Sequence, residues 1–391
     1  MPDATEILYH AKKWYALFPG VIRPVSGGFL ADHYARRAKA RGPLRTALDA
    51  AVGLGFHAWV PFRAKAVRRR FGLSREWQAQ AIATARARFA DPNDLALFRI
   101  EQADALDGYI RRFEDAALNK VINPLGWTRD CALADKVLFY ERCERVGLPH
   151  PAVIAVGNAG GWAVRRAPAA GQDLLIKPAR GEGGRGVAFL DRPEPGGLDA
   201  WLKQVFAGRS GSWIVQERLA THPAVRDLSL GALSTARITT ILNENGVPEP
   251  VSAVLRLASD PAAQVDNMKA GGLLAPIGLA SGVLGLACKG YGGADHARHP
   301  VTDGPIEGRL LPWWQEAKQL VIEAHSTAFS DYALIGWDVG ICGQGPILIE
   351  GNAKPGVLMP QRASRQGLGS GRYGELLAHQ LLLRAGSRTP N

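Results

Sequence analysis

Apolar and polar positions divide this chain into two textures. Up to about residue 130 the apolar residues recur at helical spacing. Trp77, Ala81, Ile82, Ala85 and Phe89 fall on one face behind Ser74, which predicts a helix over 74–89. Asp91-Pro92-Asn93-Asp94 breaks the pattern, and a second helix is predicted over 94–118. After Asn119 the texture changes to short apolar runs bounded by Gly and Pro. A turn at Asn123-Pro124-Leu125-Gly126 leads to a helix expected over 130–146, with Leu133, Val137, Leu138 and Val146 as its apolar face and Lys136 inside it. Gly147, Pro149 and Pro151 stop that helix. Strands are predicted over 152–156, 174–178, 187–190, 213–219, 234–242, 251–257, 273–279 and 283–287, with Asn245-Gly246 turning one antiparallel pair. A helix over 312–329, two strands joined by a Gly-rich turn within 334–361, and a last helix over 371–386 complete the pattern.

The 334–361 stretch carries the most chemistry. Glu350 ends the apolar run Ile347-Leu348-Ile349, so a carboxylate emerges where burial ceases. Glu350 and Asn352 are two apart and share one face of a strand. A hairpin brings Asp338 up beside them, and three hard oxygen donors in one place suit Mg²⁺. The plain alternative is a hairpin with two solvated acids. Leu174-Leu175-Ile176-Lys177-Pro178 leads into Gly181, Glu182, Gly183, Gly184, Arg185 and Gly186. Gly181, Gly183 and Gly186 have the G-x-G-x-x-G spacing, but the dinucleotide fingerprint requires a helix next and here a strand follows. Strand, glycine loop, strand makes a flap whose amides close over phosphates, because glycine permits positive φ and close approach; a hairpin without a ligand is the alternative. Arg237 and Arg256 lie in predicted strands, where arginine calls for an anionic partner. Asn267 lies in the polar loop 266–272. His296 and His299 have no further His, Cys or acid cluster beside them and read as an ordinary loop.

Composition narrows the picture. With 391 residues the chain has room for two or three domains, and 47% apolar with 21% charged residues fits a folded soluble protein. The net charge is +11, and residues 1–120 carry 20 Lys+Arg against 12 Asp+Glu. An anionic partner follows from that balance: nucleotide, acidic substrate, nucleic acid or membrane surface. Arginine is densest over 63–75, which reads first as a solvated helix face; no aromatic interleaving supports a specific nucleic-acid partner. Cys131, Cys143, Cys288 and Cys342 are far apart, so neither zinc nor a disulfide framework is expected, and reduced thiols point to a cytoplasmic location. No signal-peptide pattern is read at the start. The most apolar stretch, 47–62, holds Asp49 and His57 and falls short of the ~20 apolar residues of a membrane span.

The order of these features resembles the ATP-grasp superfamily, and within it the bacterial branch called sugar-transfer-associated ATP-grasp. The residues carrying the resemblance are Asp135-Lys136, Ile176-Lys177-Pro178, the 181–186 loop, Thr235-Ala236-Arg237-Ile238-Thr239, Val265-Asp266-Asn267 with Gly271-Gly272, His299-Pro300, Gly336-Trp337-Asp338-Val339 and Glu350-Gly351-Asn352, spread over about 120–365. It implies an α+β ATP-grasp fold, two α+β subdomains gripping ATP, with a helical N-terminal extension over 1–120. Within 121–391 it implies a pre-ATP segment (121–170), a flap subdomain (171–220), a metal and substrate subdomain (221–370), and a C-terminal helix and tail (371–391). Position by position, it implies that Lys136 and Lys177 contact the nucleotide phosphates, that 181–186 cover them, and that Gln216 to Leu219 hold adenine, with Glu217 on the ribose. It further implies that Asp338, Glu350 and Asn352 hold Mg²⁺ and that Arg237, with Arg256 and Asn267 beside it, serves the transferred phosphate. The hinge reads Gln-Glu-Arg-Leu where many relatives carry paired acids.

The activity implied is an ATP-dependent carboxylate–amine (or carboxylate–thiol) ligase working through an acyl phosphate, with small-molecule substrates. Two alternatives stay open. One is a kinase on the same fold that phosphorylates a hydroxyl. The other is a non-catalytic scaffold whose basic N-terminal helices touch nucleotide or anionic membrane.

Overall fold

The computed structural model describes residues 28–40, 42–100, 102–181, 183–261, 272–289 and 294–386. Four helices open it: α1 (Ala31–Lys39), α2 (Pro43–Phe71), α3 (Arg75–Arg88) and α4 (Pro92–Phe98). Pro43 starts α2 at the first helical turn, where its missing N–H costs nothing, and Gly72 closes it in the left-handed conformation. Ser74 caps α3 as expected, its hydroxyl accepting from the Trp77 amide at 3.1 Å. The helix expected over 94–118 is instead two. Arg99 adopts φ 53°, a left-handed stop that ends α4, and a 3₁₀ turn over Ala103–Gly108 precedes α5 (Arg112–Ile122). The Arg111 amide donates to Glu114 at the start of α5. Val60, Ala81, Ala85, Leu95 and Phe98 knit α2, α3 and α4 into one apolar cluster.

The helix expected over 130–146 is also shorter. Asp135 caps it, accepting from the Val137 and Leu138 amides, so α6 spans Lys136–Arg145 and Lys136 is its first residue. Its buried face is Phe139, Tyr140 and Cys143; Leu138 and Val146, expected inside, are exposed. The aromatics win that face because Phe139 stacks on Phe329 and packs against Trp337.

Two antiparallel sheets follow. The first has β1 (Val153–Asn158), β2 (Gly161–Val164), β3 (Leu174–Pro178), β4 (Ala188–Leu190) and β5 (Trp213–Glu217), in the order β2-β1-β5-β3-β4. Helix α7 (Leu198–Phe206) covers one face through Leu202 and Phe206, packed on Ile154, Ile176 and Val215. The strands at 153–164 therefore share a sheet with the flap strands, and the segment expected before the flap subdomain is divided between the two. The second sheet has β6 (Thr235–Leu242), β7 (Pro248–Leu257), β8 (Leu273–Pro276), β9 (Ala287–Lys289), β10 (Asp295–His296), β11 (Leu334–Cys342) and β12 (Gly345–Asn352), in the order β10-β9-β8-β7-β6-β11-β12. The strand expected over 273–279 contracts to β8, and the one expected over 283–287 is displaced to β9, with only isolated bridges at Ile277, Val283 and Leu284 between them. Helix α8 (Trp314–Thr327) packs Ala317, Val321 and Ala324 beneath Ile335 and Trp337. Two more helices, α9 (Leu358–Ser364) and α10 (Arg372–Gly386), close the chain.

Strand β11 is buried along all nine residues and lies between β6 and β12. Asp338 stands opposite Arg237 on one side and Glu350 on the other. The β11–β12 ladder shifts by one residue between Asp338 and Val339. An unbroken ladder from the Val339–Leu348 pair would have set apolar Ile349 against Asp338. The bulge sets Glu350 there instead, so both carboxylates share a face.

Gly351, between Glu350 and Asn352, backs onto the start of α6. A Cβ there would lie 2.5 Å from Leu133 Cδ2 and 3.0 Å from Phe139 Cε2. Both neighbours are buried and have no room to retreat. Gly351→Ala is expected to lower stability by about 1–3 kcal/mol, read as a drop in the urea midpoint; an unchanged midpoint would show that the α6 contact yields freely.

Candidate active site

A cavity of about 360 Å³ opens between the two sheets. Lys136, Lys177, Gly181, Gly183, Gly184, Arg185, Gln216, Leu219, Arg237, Arg256, Asp338, Glu350 and Asn352 all line it. Residues as far apart in sequence as Lys136 and Asn352, expected to act together, are thus brought to one place. Four residues singled out by the sequence are not among them. Glu182 and Asn267 lie outside the described residues. Gly186 packs at the base of the flap instead, with no room for a Cβ against Pro178 and Trp213. Glu217 is turned away: one oxygen accepts from the Ala152 amide at 2.7 Å and the other from Gln172 at 2.8 Å. The reason is strand alternation. Gln216 faces the cavity, so its neighbour on β5, Glu217, expected on the ribose, faces the opposite side and does not line the cavity.

The flap matches its expectation. β3 and β4 pair antiparallel around the loop, and Gly181, Gly183, Gly184 and Gly186 all adopt positive φ, which side-chain-bearing residues resist. Lys136 reaches the loop, donating to the Gly181 carbonyl at 2.9 Å, and sits 3.4 Å from the Glu350 carboxylate.

The cavity is strongly cationic. Among the described residues Lys136, Lys177, Arg185, Arg218, Arg237, Arg256 and Lys354 line it, against the carboxylates of Asp338 and Glu350. Asp338 is the anchor of one wall. Arg237 grips it through Nε and through Nη2 at 2.9 Å, and Arg256 adds a contact at 3.0 Å. Burial pushes the Asp338 carboxyl upward, but the two guanidiniums outweigh it and hold the group well below the usual carboxylate range. Arg237 also donates to the Pro355 carbonyl.

Lys177 is the opposite case. It is buried, donates to the Tyr140 hydroxyl at 2.8 Å and faces the Tyr140 ring. Desolvation, with Lys136 adding to it and Glu350 opposing, lowers its pKa from 10.5 to about 7. The Tyr140 hydroxyl donates in turn to the Ile349 carbonyl at 2.8 Å, with Gln216 Oε1 3.3 Å away.

Sequence reasoning missed Tyr140, although one signal was present: it lies four residues after Lys136, on the same helix face. It also missed Phe189, whose ring carries the Arg218 guanidinium at 3.8 Å, both lining the cavity. In the sequence Phe189 looks like any apolar strand residue.

Glu350, Asn352 and Asp338 suit a hard divalent cation by donor type. Asp338 already accepts three hydrogen bonds from the arginines, leaving about one of its roughly four acceptor sites. Glu350 and the Asn352 amide oxygen would therefore carry most of the coordination. Among the described residues no cluster of three His, Cys, Asp or Glu offers another metal site. His299 is structural: it is buried, bonded to the Ala258 carbonyl at 2.7 Å, and accepts from Val301 and Thr302 amides. All four cysteines are buried and free, and burial pushes the Cys143 thiol up to about 12.

A second cavity, of about 860 Å³, adjoins the first. The two share Lys136, Gly181, Gly183, Arg185, Glu350, Asn352 and Lys354. The second adds Arg180, so among the described residues four cations face it against Glu350 alone. Lys354 is held over the Trp127 ring at 4.2 Å, a contact that steadies the ammonium without neutralising it.

Residues 202–372, less than half of the chain, match the family described as sugar-transfer associated ATP-grasp. No curated protein sequence matches. Among solved structures the chain is distantly similar to three ligases. For D-alanine–D-alanine ligase from Bacillus anthracis complexed with ATP, identity is 14% and the TM-score 0.37, over 66% of this chain and 69% of that one. For the ATP-grasp ligase PsnB complexed with minimal precursor the values are 16% and 0.36, over 65% and 61%. For L-amino acid ligase from Bacillus licheniformis they are 12% and 0.33, over 57% of this chain and only 40% of that one.

The Lys177 environment gives a pH dependence with a definite sign. Between about 7 and 10.5 the unfolded chain holds a proton on Lys177 that the folded protein lacks, so stability rises with pH across that window. Measured against Lys177→Met, the native protein is expected to gain stability as pH is raised from about 7 to about 9. A constant difference between their urea midpoints over that range would show that Lys177 keeps its charge in the fold.

Proposed function

We propose that the protein, whose residues 202–372 match the sugar-transfer associated ATP-grasp family, is an ATP-dependent ligase that activates a carboxylate as an acyl phosphate and joins it to an amine or thiol. The observation that carries this reading is the meeting of two cavities at Lys136, Glu350 and Asn352. The smaller takes the nucleotide, and the larger takes the substrates on the far side of its terminal phosphate.

Lys136 and Lys177 offset phosphate charge, and Lys177 takes up a proton as it does so. The flap amides close over the phosphates and exclude the water that would hydrolyse an acyl phosphate. Arg218 on Phe189 offers a flat platform, and Gln216 and Leu219 an edge, for the base. Glu350 and Asn352, with Asp338, would hold Mg²⁺, which when bound offsets charge on the phosphate oxygens. Arg237 and Arg256, held rigid by Asp338, face the position where the phosphate is passed on. In the larger cavity, Arg180, Arg185 and Lys354 favour an anionic acyl donor, and fixing it against the nucleotide converts a collision into an in-place reaction. ATP as substrate and four free thiols fit a reducing compartment.

The test has two stages. Binding of the non-hydrolysable ATP analogue AMP-PNP is expected to require Mg²⁺, and Glu350→Gln to cut turnover at least about a hundredfold. Turnover with a carboxylate labelled with ¹⁸O, plus an amine, is then expected to move one label into the released phosphate. Unlabelled phosphate and unconsumed carboxylate, with a hydroxyl compound phosphorylated instead, would replace the ligase by a kinase on the same site.

A further inference from the structure

The longest helix presents an apolar face to solvent. On its inner side α2 buries Val60, Ala64 and Val67 against α3 and α4. A helix satisfied in this way normally turns polar residues outward. Here the outer side carries Leu44, Leu48, Ala51, Ala58 and Phe62, with Leu54 at its margin. Leu44, Leu54 and Phe62 are 85%, 74% and 76% exposed. The positions 44, 48, 51, 55, 58 and 62 are spaced by alternating fours and threes, which is one stripe of an α-helix, about 27 Å long at 1.5 Å per residue. The next two positions on the same stripe are Lys65 and Arg69, both exposed, beside Arg68 and Arg70 in the last turn. The outer face thus changes from apolar to cationic within one turn.

We propose that this face of α2 docks the protein on an anionic lipid surface, the apolar stripe entering the interface and the Lys65–Arg70 end meeting the headgroups. No described helix is long and apolar enough to cross a membrane, so α2 lies on the surface and does not span it. Charge complementarity selects this occupant over others. A second copy docked across a two-fold axis would bring the cationic end over an apolar end, and the stripe offers no acid to pair with it. Residues 1–27 of the chain carry three basic and two acidic residues, which gives no anionic complement either. Nucleic acid would use the cations but leave Leu44, Leu54 and Phe62 in water.

The experiment is flotation of the full chain with vesicles of phosphatidylcholine alone and of phosphatidylcholine with phosphatidylglycerol. Binding is expected only to the anionic vesicles and to weaken with salt. Phe62→Ser and Leu54→Ser are each expected to weaken it severalfold. The double variant Lys65→Gln, Arg69→Gln is expected to weaken it about twenty-five-fold, at about fivefold per charge. All these positions are exposed, so thermal unfolding of each variant should match the native protein, and AMP-PNP binding should be untouched. Equal binding to both vesicle types, no binding to either, or a native dimer in sedimentation velocity that Phe62→Ser disperses, would each overturn the proposal.

Discussion

The site depends on one buried carboxylate. Asp338 sits in the middle of a strand buried along its whole length and is tolerable there because Arg237 reaches it from the neighbouring strand β6 and Arg256 from β7 beyond it. Desolvating an ion costs several kcal/mol, and losing one partner of such a group typically costs about 3–5 kcal/mol. Three strands are thereby tied in register by charge as well as by their ladders. The wall of the cavity that faces the flap is rigid for that reason, and its two guanidiniums cannot swing away.

The same constraint explains the bulge. A regular β11–β12 ladder would place Ile349 beside Asp338 and turn Glu350 to the other face. One inserted residue corrects the phase, at the cost of a local break in pairing. Gly351 then allows the start of α6 to close on the strand, which is how Lys136 comes within reach of Glu350. Carboxylate, lysine and flap are therefore linked by packing, and a change in any one is felt by the others.

Much of this was legible in the sequence because it depended on short-range rules. Strand β3, the Gly loop and β4 were fixed by an apolar run, positive-φ glycines and a second apolar run, and the hairpin of β11 and β12 by the same logic. What escaped was what depends on tertiary phase. Whether Gln216 or Glu217 faces the cavity turns on the pairing of β5, not on its composition. Which side of α6 is buried was decided by Phe329 and Trp337, nearly two hundred residues away. The break after Phe98 rests on a left-handed arginine, which no propensity anticipates. The apolar stretch 47–62 was visible as composition, but its outward stripe needed the packing of α3 and α4 to be seen.

Tyr140 sits on α6 between the two sheets, and its hydroxyl joins them: it receives Lys177 from the first sheet and donates to the Ile349 carbonyl of the second. Any separation of the sheets that admits a ligand must pull this hydroxyl from one side or the other. Pulled from Lys177, it lets water in and the amine regains its proton; pulled from Ile349, it leaves a buried carbonyl without its donor. The two ways of opening therefore differ in electrical charge, and the acidity of the solution, acting through one phenol, selects the jaw that moves.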